Sequence, residues 1–169
     1  MIMKNALWNN IFKTDFSEST QIILALKKIP IFNGLSERDF NTVSKIVHYR
    51  EYEVDELVFK SDTPGLGMYI ILQGEAVIKG VNPEGENIEL TQLSSGNFFG
   101  EISLISENNR IANVVAISKC KLVAFFRSDL LDIIIRSPKL GNKILLNLAT
   151  ILGNRLTDYN EMLINRDSA

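Results

Sequence analysis

The sequence predicts a mainly β domain flanked by helices: an antiparallel roll, barrel or sandwich. Three observations predict it. Short β-rich runs fill Tyr49 to Phe126, with turn residues between them at close intervals. Helical periodicity precedes and follows that stretch. No linker, internal repeat or low-complexity segment divides the 169 residues, which suffice for one domain with a real core.

The first helix is carried by Ile22, Ile23, Leu26 and Ile31, with Ser17 or Ser19 as its cap and Pro30 interrupting it. Trp8 and Phe12, one helical turn apart, are expected to pack the N-terminal helix onto the body or a partner. A second helix starts at Ser36, with Glu37 in its first turn and Phe40, Val43, Ile46 and Val47 as its apolar face. Glu53 to Phe59 alternates as a strand, and Ser61 to Gly65 is a turn cluster. Met68 to Leu72 is a compact apolar strand ended by Gly74. Ala76 to Ile78 follows, then the hairpin signal Asn82-Pro83-Glu84-Gly85. Ile88, Leu90 and Leu93 mark the next strand; Ala112 to Ala116 and Leu122 to Phe126 are two more. Ser128-Asp129 caps a helix through Ile135, and Ser137-Pro138 breaks it. A long helix spans Leu140 to Leu163, with a stripe of Leu145, Leu148, Leu152, Leu156, Tyr159 and Leu163 that reads as core or dimer seam.

Composition narrows the function. The chain is 46% hydrophobic and 22% charged, which is ordinary globular usage. A net charge of −2 argues against a surface built to hold polyanions and leaves a small phosphorylated ligand open. The single cysteine, Cys120, and single histidine, His48, exclude an internal disulfide and a multi-histidine or multi-cysteine metal site. Both read as structural residues. The clustered histidines of a cupin-type metalloenzyme are missing, and no nucleophile–base pair is visible, so no enzyme is predicted. Met1 to Asn9 does not read as a signal peptide, and runs such as Leu130 to Ile135 are too short to span a bilayer. The expectation is a soluble cytoplasmic protein with no membrane partner.

The chemically informative stretch is Gly96 to Val114. Glu101 to Ile105 can form one helical turn directly after Gly100, and such a turn exposes backbone N–H groups that suit a phosphate. Glycine lets the backbone approach a ligand. Arg110 can fork onto two phosphate oxygens, and Glu101 can accept from sugar hydroxyls. The competing reading is a surface ion pair of little worth.

Phe99-Gly100-Glu101 and Arg110-Ile111-Ala112-Asn113 resemble the phosphate-binding cassette of the cyclic-nucleotide-binding domain family, the β-roll of cAMP receptor proteins and protein kinase A regulatory subunits. Pro30 to Ser36, Met68 to Gly74, Gly96, and Cys120, Leu122 and Val123 match other family positions in order and spacing. The resemblance implies an antiparallel, jelly-roll-like β-roll with N-terminal helices and two C-terminal helices. It divides the chain into an N-terminal helical segment (1–27), the roll with its hinge helix (28–137) and the long C-terminal helix of the same domain (138–169). It implies that Glu101 holds the ribose hydroxyl and Arg110 the cyclic phosphate. Backbone amides near Gly100, Ile102, Ile111 and Ala112 would complete the cradle, and Leu90 would wall the base. A lid from the last helix would fall at Tyr159 and Asn160, an aromatic face and a two-way hydrogen-bonding amide. Ser61, Asn109, Ile111 and Asn113 depart from the family pattern. Ser61 stands where glycine is frequent, Asn109 where proline is. Ile111 replaces a small residue or the threonine linked with cGMP preference, and its bulk would crowd the cradle. Asn113 replaces threonine or serine and could still donate a hydrogen bond.

The implied function is regulatory binding of a cyclic nucleotide, cAMP in preference to cGMP, with ligand moving the C-terminal helices. No cofactor is implied beyond that ligand. Expected partners are an unidentified protein effector and a second copy through the C-terminal helix. No DNA-binding domain is expected in this chain, because nothing follows the long helix where a helix-turn-helix would sit. The alternative is a domain that keeps the fold, has lost the nucleotide and serves as a protein-interaction module.

Overall fold

The computed structural model of the chain describes residues 18–82 and 84–167. Trp8, Phe12 and Ser17 lie outside them. Helix α1 (Glu18–Leu26) buries Ile22 and Leu26. Ser19 lies inside that helix, so it is not the cap, and Ile31 belongs to a separate 3-10 turn, Pro30–Phe32. Helix α2 (Glu37–Ser44) starts on a capping box. The Ser36 hydroxyl accepts the Asp39 N–H at 3.2 Å, and the Asp39 carboxylate accepts the Ser36 N–H at 3.1 Å. The helix stops at Ser44, so Ile46 and Val47 reach the core from the following turn and not from its apolar face.

Among the described residues, eight strands form two antiparallel four-stranded sheets. One contains β1 (His48–Tyr52), β8 (Cys120–Phe126), β3 (Gly67–Gln73) and β6 (Phe98–Phe99), in that order. The other contains β2 (Leu57–Phe59), β7 (Asn113–Ala116), β4 (Glu75–Val81) and β5 (Asn87–Ser94). The run from Glu53 does not form a strand until Leu57. Asp55 turns the chain at φ 66°, and its N–H donates to Ala116 O. Alternation along β3 and β8 separates two apolar layers. Ile71 and Leu122 face the second sheet, where they meet Val58, Ala76, Val114 and Ala116. Ile70, Val123 and Phe125 face the helices, where they meet Leu26, Phe32, Leu130 and Ile144.

Helix α3 (Arg127–Arg136) is capped by the Asp129 carboxylate, which accepts the Phe126 N–H at 2.9 Å; Ser128 lies within the helix. Helix α4 (Pro138–Asp167) begins at the proline that ends α3 and runs 30 residues, about 45 Å. Leu140, Ile144 and Leu148 of its first half are buried. Asn147 donates to Ile31 O and Asn33 O at 3.0 Å each, tying that half to the 3-10 turn. Gly141 lets α4 touch α3, since a Cβ there would lie 2.7 Å from Ile134 Cα. In the second half, Leu156, Tyr159 and Met162 are exposed, so the predicted stripe is core only as far as Leu152.

Candidate functional site

The stretch around Gly96 to Val114 forms one wall of a cavity of about 600 Å³. Strand β6 ends at Phe99, and Gly100 turns the chain at φ 77° into a single 3-10 turn, Glu101–Leu104. This conformation favours glycine, and a Cβ there would come within 2.6 Å of Arg110 Nη1. One 3-10 turn carries little macrodipole, so the fixed positive charge of this wall comes from Arg110.

Arg110 is 6% exposed. Its Nη2 donates to Gly67 O at 2.6 Å, and its Nη1 donates to Ser103 Oγ at 2.9 Å and to Gly100 O at 3.3 Å. The guanidinium lies over the Phe59 ring, 4.0 Å from its centroid. Phe59, Tyr69 and Phe99 pack on one another beneath it. Burial pushes the guanidinium's pKa down from its ordinary value, against the opposing pull of Tyr69 and Glu101. Among the described residues, Arg110 Nε is a buried side-chain donor with no partner.

Glu101 is 4% exposed and forms an ion pair with Arg155, which reaches in from α4. Arg155 also lies over the Phe98 ring, 5.4 Å from its centroid. Two carbonyls, a hydroxyl and a carboxylate therefore hold two cations at the rim of one cavity. Ile78, Leu90, Leu93 and Val114 give it an apolar side.

Seven of the residues singled out from the sequence line this cavity: Leu90, Gly100, Glu101, Ile102, Arg110, Ile111 and Ala112. Ile111 lines the cavity yet is 89% exposed, so its bulk sits at the open side of the cavity and not against the Arg110 guanidinium. Asn113, Tyr159 and Asn160 are not brought to the lining. The Asn113 side chain turns away to accept the Ser61 N–H at 2.8 Å. Tyr159 and Asn160 are exposed on α4, and the α4 residue in the cavity is Arg155, one turn earlier. Sequence reasoning missed it. No local signal marks it, because helix packing and not closeness in sequence brings it to Glu101.

His48 opens β1 away from the cavity, with its ring 4.8 Å from that of Phe126 and Nε2 3.3 Å from the Asp129 carboxylate. Cys120 is fully buried. Among the described residues, no group of histidine, cysteine and carboxylate side chains could hold a metal ion, and no helix is long and apolar enough to cross a membrane.

Comparison with known proteins places this geometry. The chain is 30% identical over 143 residues to a candidate potassium channel protein of Rhodopseudomonas palustris, covering 85% of this chain and 34% of that protein. It is 30% identical over 133 residues to the cyclic AMP receptor protein of Thermus thermophilus, covering 79% of this chain and 60% of that one. The chain thus spans about a third of the first and less than two thirds of the second. The crystal structure of the Thermus thermophilus catabolite activator protein superposes with a TM-score of 0.74 at 29% identity, over 82% of this chain and 63% of that chain. Residues 49–137, which carry the roll, the cassette and α3, match the cyclic nucleotide-binding domain, and this chain belongs to that family.

Proposed function

We propose that the cavity binds a cyclic nucleotide, cAMP in preference to cGMP, and that the domain uses this binding to regulate an effector. The observation that carries the reading is the buried Arg110 Nε, a charged donor without an acceptor at the rim of a cavity. A cyclic phosphate is an acceptor of matching charge, and leaving such a donor unpaired costs about 1–3 kcal/mol. The Glu101 carboxylate suits a ribose hydroxyl, and the apolar side around Leu90 suits a base. Ile111 offers no hydroxyl to guanine, which favours adenine.

The regulatory step follows from Arg155. A ribose hydroxyl that donates to Glu101 competes with the cation that α4 already places there. Ligand and α4 therefore share one carboxylate, and binding biases the position of the helix. The exposed second half of α4 is the surface this movement presents to a protein effector or a second copy of the chain.

Calorimetric titration with cAMP and cGMP tests the reading. Binding of cAMP with higher affinity than cGMP is expected. Arg110→Lys keeps a charge but loses the fork, and should weaken cAMP by about 2–4 kcal/mol. Its melting temperature must be measured alongside, because Arg110 also bonds Gly67 and Ser103. Equal affinity in parent and variant would refute the assignment of Arg110.

A second reading has its own support. Glu101 is already paired with Arg155, and the Arg110 Nη groups already have acceptors. A domain that had lost its ligand would close its charges internally in this way and act as an interaction module. No heat with either nucleotide would favour it.

A further inference from the structure

Ser61 and Asn113 touch each other beside Arg110. We infer that Asn113 is a positioning residue for Arg110, acting through Ser61; the inference rests on the proposed reading of Arg110 as the phosphate anchor. Strand β2 ends at Phe59, paired with Val114 of β7. Pairing resumes beyond it, where Asp62 N–H donates to Arg110 O and Arg110 N–H donates to Thr63 O, each at 2.8 Å. The Ser61 N–H lies between these two stretches, and the Asn113 side-chain oxygen accepts it at 2.8 Å. That donor fixes which way the amide points. The Ser61 hydroxyl in turn donates to Arg110 O at 3.4 Å.

The amide thus supplies the acceptor for the one N–H between two paired stretches that the backbone ladder leaves to a side chain. What it holds matters to Arg110 twice. The backbone of Arg110 is gripped by Ser61, Asp62 and Thr63 of this loop. Its guanidinium lies on Phe59, the last residue of β2, two residues before Ser61. A shift of the loop therefore moves both the Cα of Arg110 and the ring beneath its side chain. Asp62 sits at φ 63°, a conformation that aspartate tolerates and that persists only when its surroundings hold it. The serine supplies the hydroxyl that reaches Arg110 O, and the asparagine side chain is long enough to reach the Ser61 N–H.

The full chain tests this with two readings. One is cAMP affinity by calorimetry. The other is the Arg110 Nε–H signal in ¹⁵N-edited NMR of the ligand-free protein. Asn113→Ala should weaken cAMP by about tenfold, the scale of one part-buried donor left without its acceptor. It should also shift the Nε–H signal and speed its exchange before any nucleotide is added. Asn113→Asp retains an acceptor for Ser61 and should return the Nε–H signal to its parent position; it is read only in the free protein, since its charge would repel a phosphate. If Asn113→Ala does not fold, Asn113→Val, a strand former with no acceptor, is read by the same signals. Loss of thermal stability with unchanged cAMP affinity and an unmoved Nε–H signal overturns the inference. If the parent binds neither nucleotide, the functional reading fails, and the Nε–H signals of the free variants alone decide the positioning role.

Discussion

At the scale of single residues, the two charged members of the cassette are where the sequence implied, yet neither is a free group waiting on a surface. Both are more than nine-tenths buried and both already have protein partners. They were legible because glycine, glutamate and arginine are close in sequence and their chemistry is local. Their partners were not legible. Gly67, Ser61 and Arg155 reach them through strand pairing and helix packing, which no local pattern encodes. Ile111 is a different case. Its bulk beside Arg110 suggested crowding, and alternation along the chain into β7 leaves its side chain at the exposed side of the cavity while Ala112 turns inward. Ile111→Ala should therefore leave stability within about 0.5 kcal/mol of the parent. Its cAMP affinity should change by no more than about twofold. Urea denaturation and calorimetry check the two halves of that statement. A large loss of affinity would mean that the ligand covers this side chain.

At the scale of elements, α4 is one helix with two environments. Ile144 is fully buried between α3, the 3-10 turn and the sheet, so Ile144→Ala should cost about 2–5 kcal/mol in denaturation midpoints. Tyr159 is 58% exposed, and Tyr159→Ala should cost less than about 0.5 kcal/mol in the monomer. A larger loss that depends on protein concentration, read by sedimentation, would place Tyr159 in a seam between two copies. The helix itself was plain from its period. The packed half was not, because leucines recur along the whole length and only contact with the 3-10 turn and α3 separates the halves. Helix α2 offers a simpler test. Ser36→Ala removes the cap and should cost about 1 kcal/mol. The hydrogen bond from Ser36 holds the Asp39 carboxyl below its usual pKa of 3.8. That contribution is present above the unfolded value and fades as pH falls through the folded one. The gap between parent and variant should thus narrow in acid, below about pH 4.

At the scale of the whole molecule, the roll and its flanking helices were legible from turn residues and from the change of period at Tyr49 and Arg127. The division into two sheets was not, since it follows from which strands pair across long separations in the chain. One consequence of the overhanging helix is mechanical. Leu152 is the last residue of α4 packed on the core, Arg155 follows three residues later, and Asp167 lies fifteen residues beyond Leu152. At 1.5 Å per residue these are arms of about 4.5 Å and about 22 Å from a common pivot. On the proposed reading, in which ligand displaces Arg155, the helix is a cantilever driven close to its fulcrum. A tilt of about 10° that shifts Arg155 by about 0.8 Å carries the tip about 4 Å, a fivefold gain in travel. The same ratio divides the thrust at the tip by five. On that reading the overhang would display or withdraw a surface and would not push a partner apart.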